Sequence, residues 1–500
     1  MTSPATPSES IAAIDLGSNS FHMIVARLHN GQLIVVDKLR EMVRLAEGIT
    51  EQETLLPEVE ERAIACLERF GQRLRDIPLG SVRAVGTNTL RNASQAGDFL
   101  LRAEQALGHP IDIITGVEEA RLIYLGVSHG IAENSGQRLV MDIGGGSTEL
   151  IIGEAFNPHY MQSLEMGCVS MTRRFFADGE INHKRIQAAL LAATTEVAPH
   201  HKTFKKLGWQ QAIGASGTIR ATRAVLMENG WSNEGVTLSG LRTLVEKLAE
   251  FPTIKDISLP GLNAERAPVF LGGALVLLAT FEKLGIEKMI VSDCALREGL
   301  ILDLQGRIEH EDSRSHSVDN LAERYHVDQE QAKRVESTAL AILKQLRKSW
   351  SLKDKEHQQW ISWAAQLHEI GLDIAHKHYH HHGVYIVEYS DLAGFSQQEQ
   401  RMLARLVRLH RRKLQSSLIN ELPERWHKSA LQLTIMLRLA FILNRSRSSD
   451  PLPEFKIIGN EKHLDLIFPA EWLNEHPLTC ADLEQEAIWL DKAGYVLEYQ

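Results

Sequence analysis

Cysteine is scarce: Cys66, Cys168, Cys294 and Cys480 lie far apart and form no CxxC pair. That excludes a disulfide framework, argues against structural zinc and places the chain in a reducing, cytoplasmic setting. The opening MTSPATPSES lacks the basic and apolar regions of a secretory signal. No apolar run reaches the roughly 20 residues a bilayer requires. The longest, Pro268 to Phe281, reads instead as a buried helix. The dipeptide Gly-Lys occurs nowhere, which removes a P-loop kinase. Basic excess is also missing, since 54 basic against 64 acidic residues leave a net charge of -10. Bulk electrostatics therefore repel a polyanion, nucleic acid is not an expected partner, and any phosphate-rich ligand must be held by local basic groups or metal.

Low-complexity segments are absent too, and a 44% hydrophobic, 24% charged composition is that of packed domains. Five hundred residues predict three or four of them. The most informative stretch is Arg138 to Glu154, RLVMDIGGGSTELIIGE. It reads as strand, tight turn and strand, with Asp142 ending the first apolar run. The three glycines Gly144, Gly145 and Gly146 exceed what a hairpin turn with positive φ needs, which suggests amides laid bare for close approach. Successive amides form an electropositive nest suited to phosphate. Asp142 is then placed to hold a cation. Ile11 to Leu28 repeats the grammar: Asp15, Gly17, Ser18 and Asn19, then Ser20 at the offset from Asp15 that Ser147 has from Asp142. Two copies in two halves of one chain argue for internal duplication.

Paired loops of this kind resemble the actin, hexokinase and heat-shock ATPase superfamily. Within it DLGSNSFHM, GTNTLR, GVEEARLIY, DIGGGSTEL, GASGT and ALREGL resemble the exopolyphosphatase and guanosine pentaphosphate phosphatase family over nearly the whole chain. The implied fold is α/β: two ribonuclease-H-like (actin-type) domains, residues 1–135 and 136–306, then an all-α HD-like domain, 307–450, and a small α+β domain, 451–500. Residue patterns agree with that order. Strand and helix signals alternate up to about Arg307, helical periodicity then takes over, Ser446 to Pro453 reads as a linker, and a hairpin, a helix and a final strand close the chain. His183 to Phe204 reads as one helix. Cys294 stands where the family typically has glycine.

The expected reaction is hydrolysis of a terminal phosphoanhydride, which needs positioning, charge neutralisation and a group to orient water. Backbone donors of Gly17 to Asn19 and Gly144 to Ser147 would cradle the phosphates. Mg2+ suits hard oxygen ligands, with Asp142 the first candidate, then Glu149, and Asp15 as its counterpart. By pattern alone Glu149 either faces water or lines the site; the resemblance implies the latter. Glu119 matches the glutamate that activates water. Acidic residues in a first helical turn also answer the helix dipole, which could account for Glu118. Arg91 could meet charge on the transferred group as a guanidinium fork, with Arg266 and Arg297 as further candidates. Ser147 either donates to phosphate or closes its own turn.

His368-Glu369, with His376, His378, His380, His381, His382 and His410, resembles helical metal phosphohydrolases, but Glu369 replaces their aspartate and the site reads as degenerate. These histidines, with Lys377, Arg411, Arg412 and Lys413, are expected to line a basic surface for a long polyanion. A polymeric substrate needs such a track to stay bound between cleavages, which favours inorganic polyphosphate and an exopolyphosphatase. The guanosine pentaphosphate (pppGpp) 5'-phosphatase is the nearest alternative. A superfamily kinase or a non-catalytic sensor is the alternative of another class. The resemblance further implies a homodimer and allows peripheral membrane association.

Overall fold

A computed structural model describes residues 10–29, 32–50, 54–93, 97–131, 136–309, 312–352 and 355–500. Residues 1–9, where the sequence shows no signal segment, lie outside that range. The chain divides into two compact units, Met1–Glu311 and Asp312–Gln500.

The first unit holds two sheets. One comprises β1 (Ser10–Leu16), β2 (Phe21–His29), β3 (Gln32–Glu41), β4 (Val82–Gly86) and β5 (Ile111–Ile113) in the order β3-β2-β1-β4-β5. The other comprises β6 (Gln137–Ile143), β7 (Thr148–Glu154), β8 (Asn157–Leu164), β9 (Gln211–Gly214), β10 (Val236–Thr237) and β11 (Lys288–Val291) in the order β10-β11-β9-β6-β7-β8. Read from β8, the second sheet repeats the first, with β10 added at its edge. In both, an antiparallel meander is followed by parallel strands, so the duplication seen in the loops extends to the topology. β1 and β6 carry the same burial pattern and sit inside their sheets, as their apolar runs require.

The apolar Ala267–Leu284 helix is long enough to span a membrane, yet 72% of it is buried. It is a core helix, as its sequence suggested. The single helix expected from His183 to Phe204 is instead two, His183–Val197 and His201–Leu207.

The second unit is mainly helical, and its three-stranded sheet of β12 (Lys456–Gly459), β13 (His463–Ile467) and β14 (Val496–Tyr499) shares one apolar core with the helices. The histidine-rich segment, unassigned by periodicity, forms the Tyr379–Tyr389 helix. A buried guanidinium ties the terminal part in. Arg438, 0% exposed, donates to both Glu486 oxygens at 2.5 and 2.6 Å and to the carbonyls of Leu409 and Arg412 at 2.6 Å. Arg438→Leu strands a buried carboxylate and should cost this unit about 3–5 kcal/mol in urea denaturation, with most of the loss recovered by adding Glu486→Leu. A loss below about 1 kcal/mol would contradict the pairing.

Candidate active site

Every element of the candidate site ends at the same side of the two sheets. Asp15 and Asp142 close β1 and β6, Thr87 and Asn88 follow β4, Ser216 and Gly217 follow β9, and Ala295 to Arg297 follow β11. Crevices at the carboxyl ends of strands are where ligands bind in such sheets. Here they enclose a cavity of about 330 Å³ lined by Asp15, Gly17, Ser18, Asn19, Ser20, Glu119, Asp142, Gly144, Gly145, Ser147, Arg266 and Arg297, among others. The N-terminus of the Gly217–Glu228 helix, capped by Ser216, opens into it. Its free amides and dipole favour an anion.

The two glycine loops touch. A Cβ on Gly145 would lie 2.7 Å from Cβ of Ser18, and one on Gly146 would lie 2.0 Å from Oδ1 of Asn88. None of Gly17, Gly144, Gly145 and Gly146 has positive φ. Gly145 and Gly146 are therefore required by close approach, and no left-handed turn calls for them. Loop carbonyls are occupied: Ser18 accepts from the Ala46 amide at 2.9 Å, Asn19 from Arg44 at 2.8 Å, Gly144 from Cys168 at 2.9 Å and Gly145 from Val169 at 2.9 Å. Among the described residues none accepts from the amides of Ser18, Asn19, Gly145 or Gly146. Pinned carbonyls with idle amides make two donor nests across one cavity.

Carboxylates surround the nests. Burial pushes Asp15 up to about 8, with Glu119 and Asp142 adding to the shift and Arg297 opposing it. Burial and then Glu119 push Asp142 up to about 7. Glu149 is raised well above the carboxylate range by burial, Glu119 and Asp142. Its Oε2 and Oδ1 of Asp15 are buried without a hydrogen-bond partner. Orphaned oxygens on mutually repelling acids fit a cation of hard-ligand type. Among the described residues these acids do not form a cage of three ligand atoms within 4.8 Å of one another. A divalent cation held by one or two carboxylates plus water and ligand oxygens needs no such cage.

Three sequence candidates stand elsewhere than on the cavity wall. Glu149 is fully buried behind it and accepts from Ser163 at 2.8 Å. Gly146 packs on Asn88. Arg91, expected on the transferred group, donates from one Nη1 to the Ile114 carbonyl at 2.8 Å and to Oε2 of Glu119 at 3.2 Å. Its partner is Glu119 and not the cavity. Burial raises Glu119, and Arg91 pulls against that shift. Ser147 reaches the wall.

Glu118 has more than a helix dipole for a partner. Only 1% exposed, it accepts from Nε and Nη2 of Arg121 at 2.7 and 2.8 Å and lies 3.7 Å from Arg83. Both arginines also bind Asp303 on the Leu296–Glu309 helix. The helix bearing Glu119 is thereby fastened to the one bearing Arg297. Cys294 does not line the cavity, and its sulfur packs beside Gly130. Residues the motifs did not single out, Arg40, Arg220 and His22, complete the wall. Arg220 sits four residues after Ser216 within GASGTIR, one helical turn on; His22 lies within DLGSNSFHM, two residues after Ser20, and Arg40 carries no local signal.

The profile of the Ppx/GppA phosphatase family matches residues 24–308, and that of the family's domain III matches residues 313–487. The chain belongs to the Ppx/GppA phosphatase family. A guanosine-5'-triphosphate,3'-diphosphate pyrophosphatase of Pseudoalteromonas translucida is 39% identical over 486 residues, 97% of each chain. Among solved structures, an Aquifex aeolicus member of the Ppx/GppA family aligns with TM-score 0.51 at 25% identity, over 61% of this chain and 99% of that one. An exopolyphosphatase from Cytophaga hutchinsonii shares the fold, with TM-score 0.54 at 24% identity over 60% of this chain and 98% of that one. This Ppx/GppA chain thus joins an actin-like α/β part to a helical domain III.

The helical unit gathers His376, His378, His380 and His381 with Lys377, Arg408, Arg411, Arg412 and Lys413 around a second cavity of about 610 Å³. Where the HD-type resemblance would place a metal ligand, Glu369 is clamped by Nη2 of Arg447 at 2.6 and 2.5 Å. His368 Nδ1 faces the Ala365 carbonyl at 2.6 Å. A guanidinium thus takes the charge-compensating place of a cation beside Glu369.

Proposed function

We propose that this chain hydrolyses the terminal phosphoanhydride bond of a linear polyphosphoryl ligand, acting on inorganic polyphosphate as an exopolyphosphatase. The observation that carries this reading is the convergence of two idle amide nests, four arginines and one buried glutamate on a single cavity. The amides of Ser18, Asn19 and Gly145 bind the terminal phosphoryl oxygens. Arg40, Arg220, Arg266 and Arg297 meet the charge that accumulates there. Glu119, held by Arg91, takes a proton from water as its oxygen bonds to phosphorus. The bridging P–O bond breaks and orthophosphate leaves from the open end. Mg2+ would be held by Asp15 and Asp142 and would supply neutralisation of phosphate charge.

A second reading, pppGpp 5'-phosphatase, is favoured by the 39% identical relative, whose name specifies that nucleotide. The reaction and the residues are the same, and that relative weights the nucleotide above the bare chain. Phosphate release from long polyphosphate and from pppGpp at one Mg2+ concentration separates the two. Release from neither, with binding retained, would instead make the protein a sensor. A homodimer belongs to the same proposal and is read by sedimentation.

A further inference from the structure

The duplicated hairpins differ at the residue opposite each aspartate. Across the ladder Asp142 pairs with Glu149, whereas Asp15 pairs with His22. In the second copy Glu149 accepts from Ser163 at 2.8 Å. In the first copy Oγ of Ser20 lies 2.8 Å from Nε2 of His22. The other nitrogen of that ring, Nδ1, lies 3.2 Å from Nη1 of Arg297.

These two contacts fix a direction. A guanidinium has donors only, so the nitrogen facing it must be a bare lone pair. The single proton of the neutral ring is then on Nε2, and Ser20 Oγ must accept it. What remains on Ser20 is its own O–H. Ser20, His22 and Arg297 all line the cavity.

We propose that His22, held in its Nε2–H form by Arg297, is a positioning residue that turns the Ser20 hydroxyl proton toward the ligand's phosphoryl oxygens. Ser20 is thereby a donor to the ligand. The two hairpins differ in what stands opposite the aspartate: a histidine in the first, a glutamate in the second. The assignment of the ligand as phosphoryl rests on the function proposed above; the direction of the hydrogen bonds does not.

Two measurements test this. With 15N-labelled histidine, the His22 signal, assigned by its loss in His22→Gln, should show an unprotonated Nδ1 and a protonated Nε2. A proton on Nδ1 overturns the proposal. In phosphate-release assays His22→Phe, which keeps a ring but no nitrogen, should lower kcat by about 10- to 100-fold, somewhat less than outright removal of an oxyanion donor. His22→Gln, which can still donate from its amide, should recover most of that. Ser20→Ala should lose a similar factor, and the double variant His22→Phe/Ser20→Ala should be no worse than Ser20→Ala, because both remove one interaction. Losses that multiply would mean a merely structural histidine and would sink the idea. If the wild type cleaves neither substrate, the function fails separately, and the nitrogen spectrum with inorganic phosphate binding by wild type against Ser20→Ala still decides.

Discussion

Glu119→Gln is expected to lower turnover by about two to four orders of magnitude while leaving ligand binding nearly intact, the signature of a lost general base. The substitution is nearly isosteric. Its amide oxygen can still accept from Arg91, whose second anchor is the Ile114 carbonyl. The helix position is also kept, because neighbouring Glu118 and its arginines hold that turn. What disappears is a carboxylate able to take a proton from water. Initial rates of phosphate release, with equilibrium binding of the same substrate, separate the two effects. Near-normal turnover would remove Glu119 from the chemistry, and a matching loss of binding would make it a ligand contact instead.

Much of this site was legible because its pieces are contiguous. Asp15 to Ser20 and Asp142 to Ser147 are single loops, so the residues that touch the cavity are neighbours in sequence. Glu119 and Arg297 came from family motifs, Arg266 was a candidate outside them, and all three reach the wall. Direction is what a sequence cannot carry. Nothing local says that Arg91 turns to Glu119 and away from the cavity, or that Glu149 lies behind the wall and not on it. The glycines were read as turn residues with exposed amides; only the approach of Ser18 and Asn88 shows what their missing side chains make room for. His22 is the clearest case. Its place opposite Asp15 exists only in the ladder register, and its partner Arg297 lies 275 residues away. Fold order was easier, because alternating apolar strands and amphipathic helices have periodicities of their own.

The second large effect concerns the cation. Asp142 and Asp15, raised to about 7 and about 8, bear protons through neutral pH when nothing else offsets their burial. A raised carboxyl ionises only as pH climbs, and a ligand must be ionised, so metal binding displaces protons and its apparent affinity should rise through about pH 7 to 8. Stability follows the same sign. These folded-state values exceed the ordinary 3.8, so the metal-free protein loses stability as pH rises from about 4 toward 8. Added Mg2+ should restore it by binding the folded form alone. Asp142→Asn removes one ligand oxygen's charge and one of the displaced protons. The Mg2+ needed for half-maximal rate should rise by at least about 10- to 100-fold, the loss typical even of an outer-shell partner. The pH dependence of metal affinity should become shallower, because Asp15 alone then exchanges its proton for metal. It should also shift to lower pH, since Asp142 no longer opposes ionisation of Asp15. Metal titrations of rate and of thermal midpoint at several pH values read both changes. An unaltered metal requirement would take Asp142 out of the cation site and leave its buried charge to be explained by phosphate positioning alone.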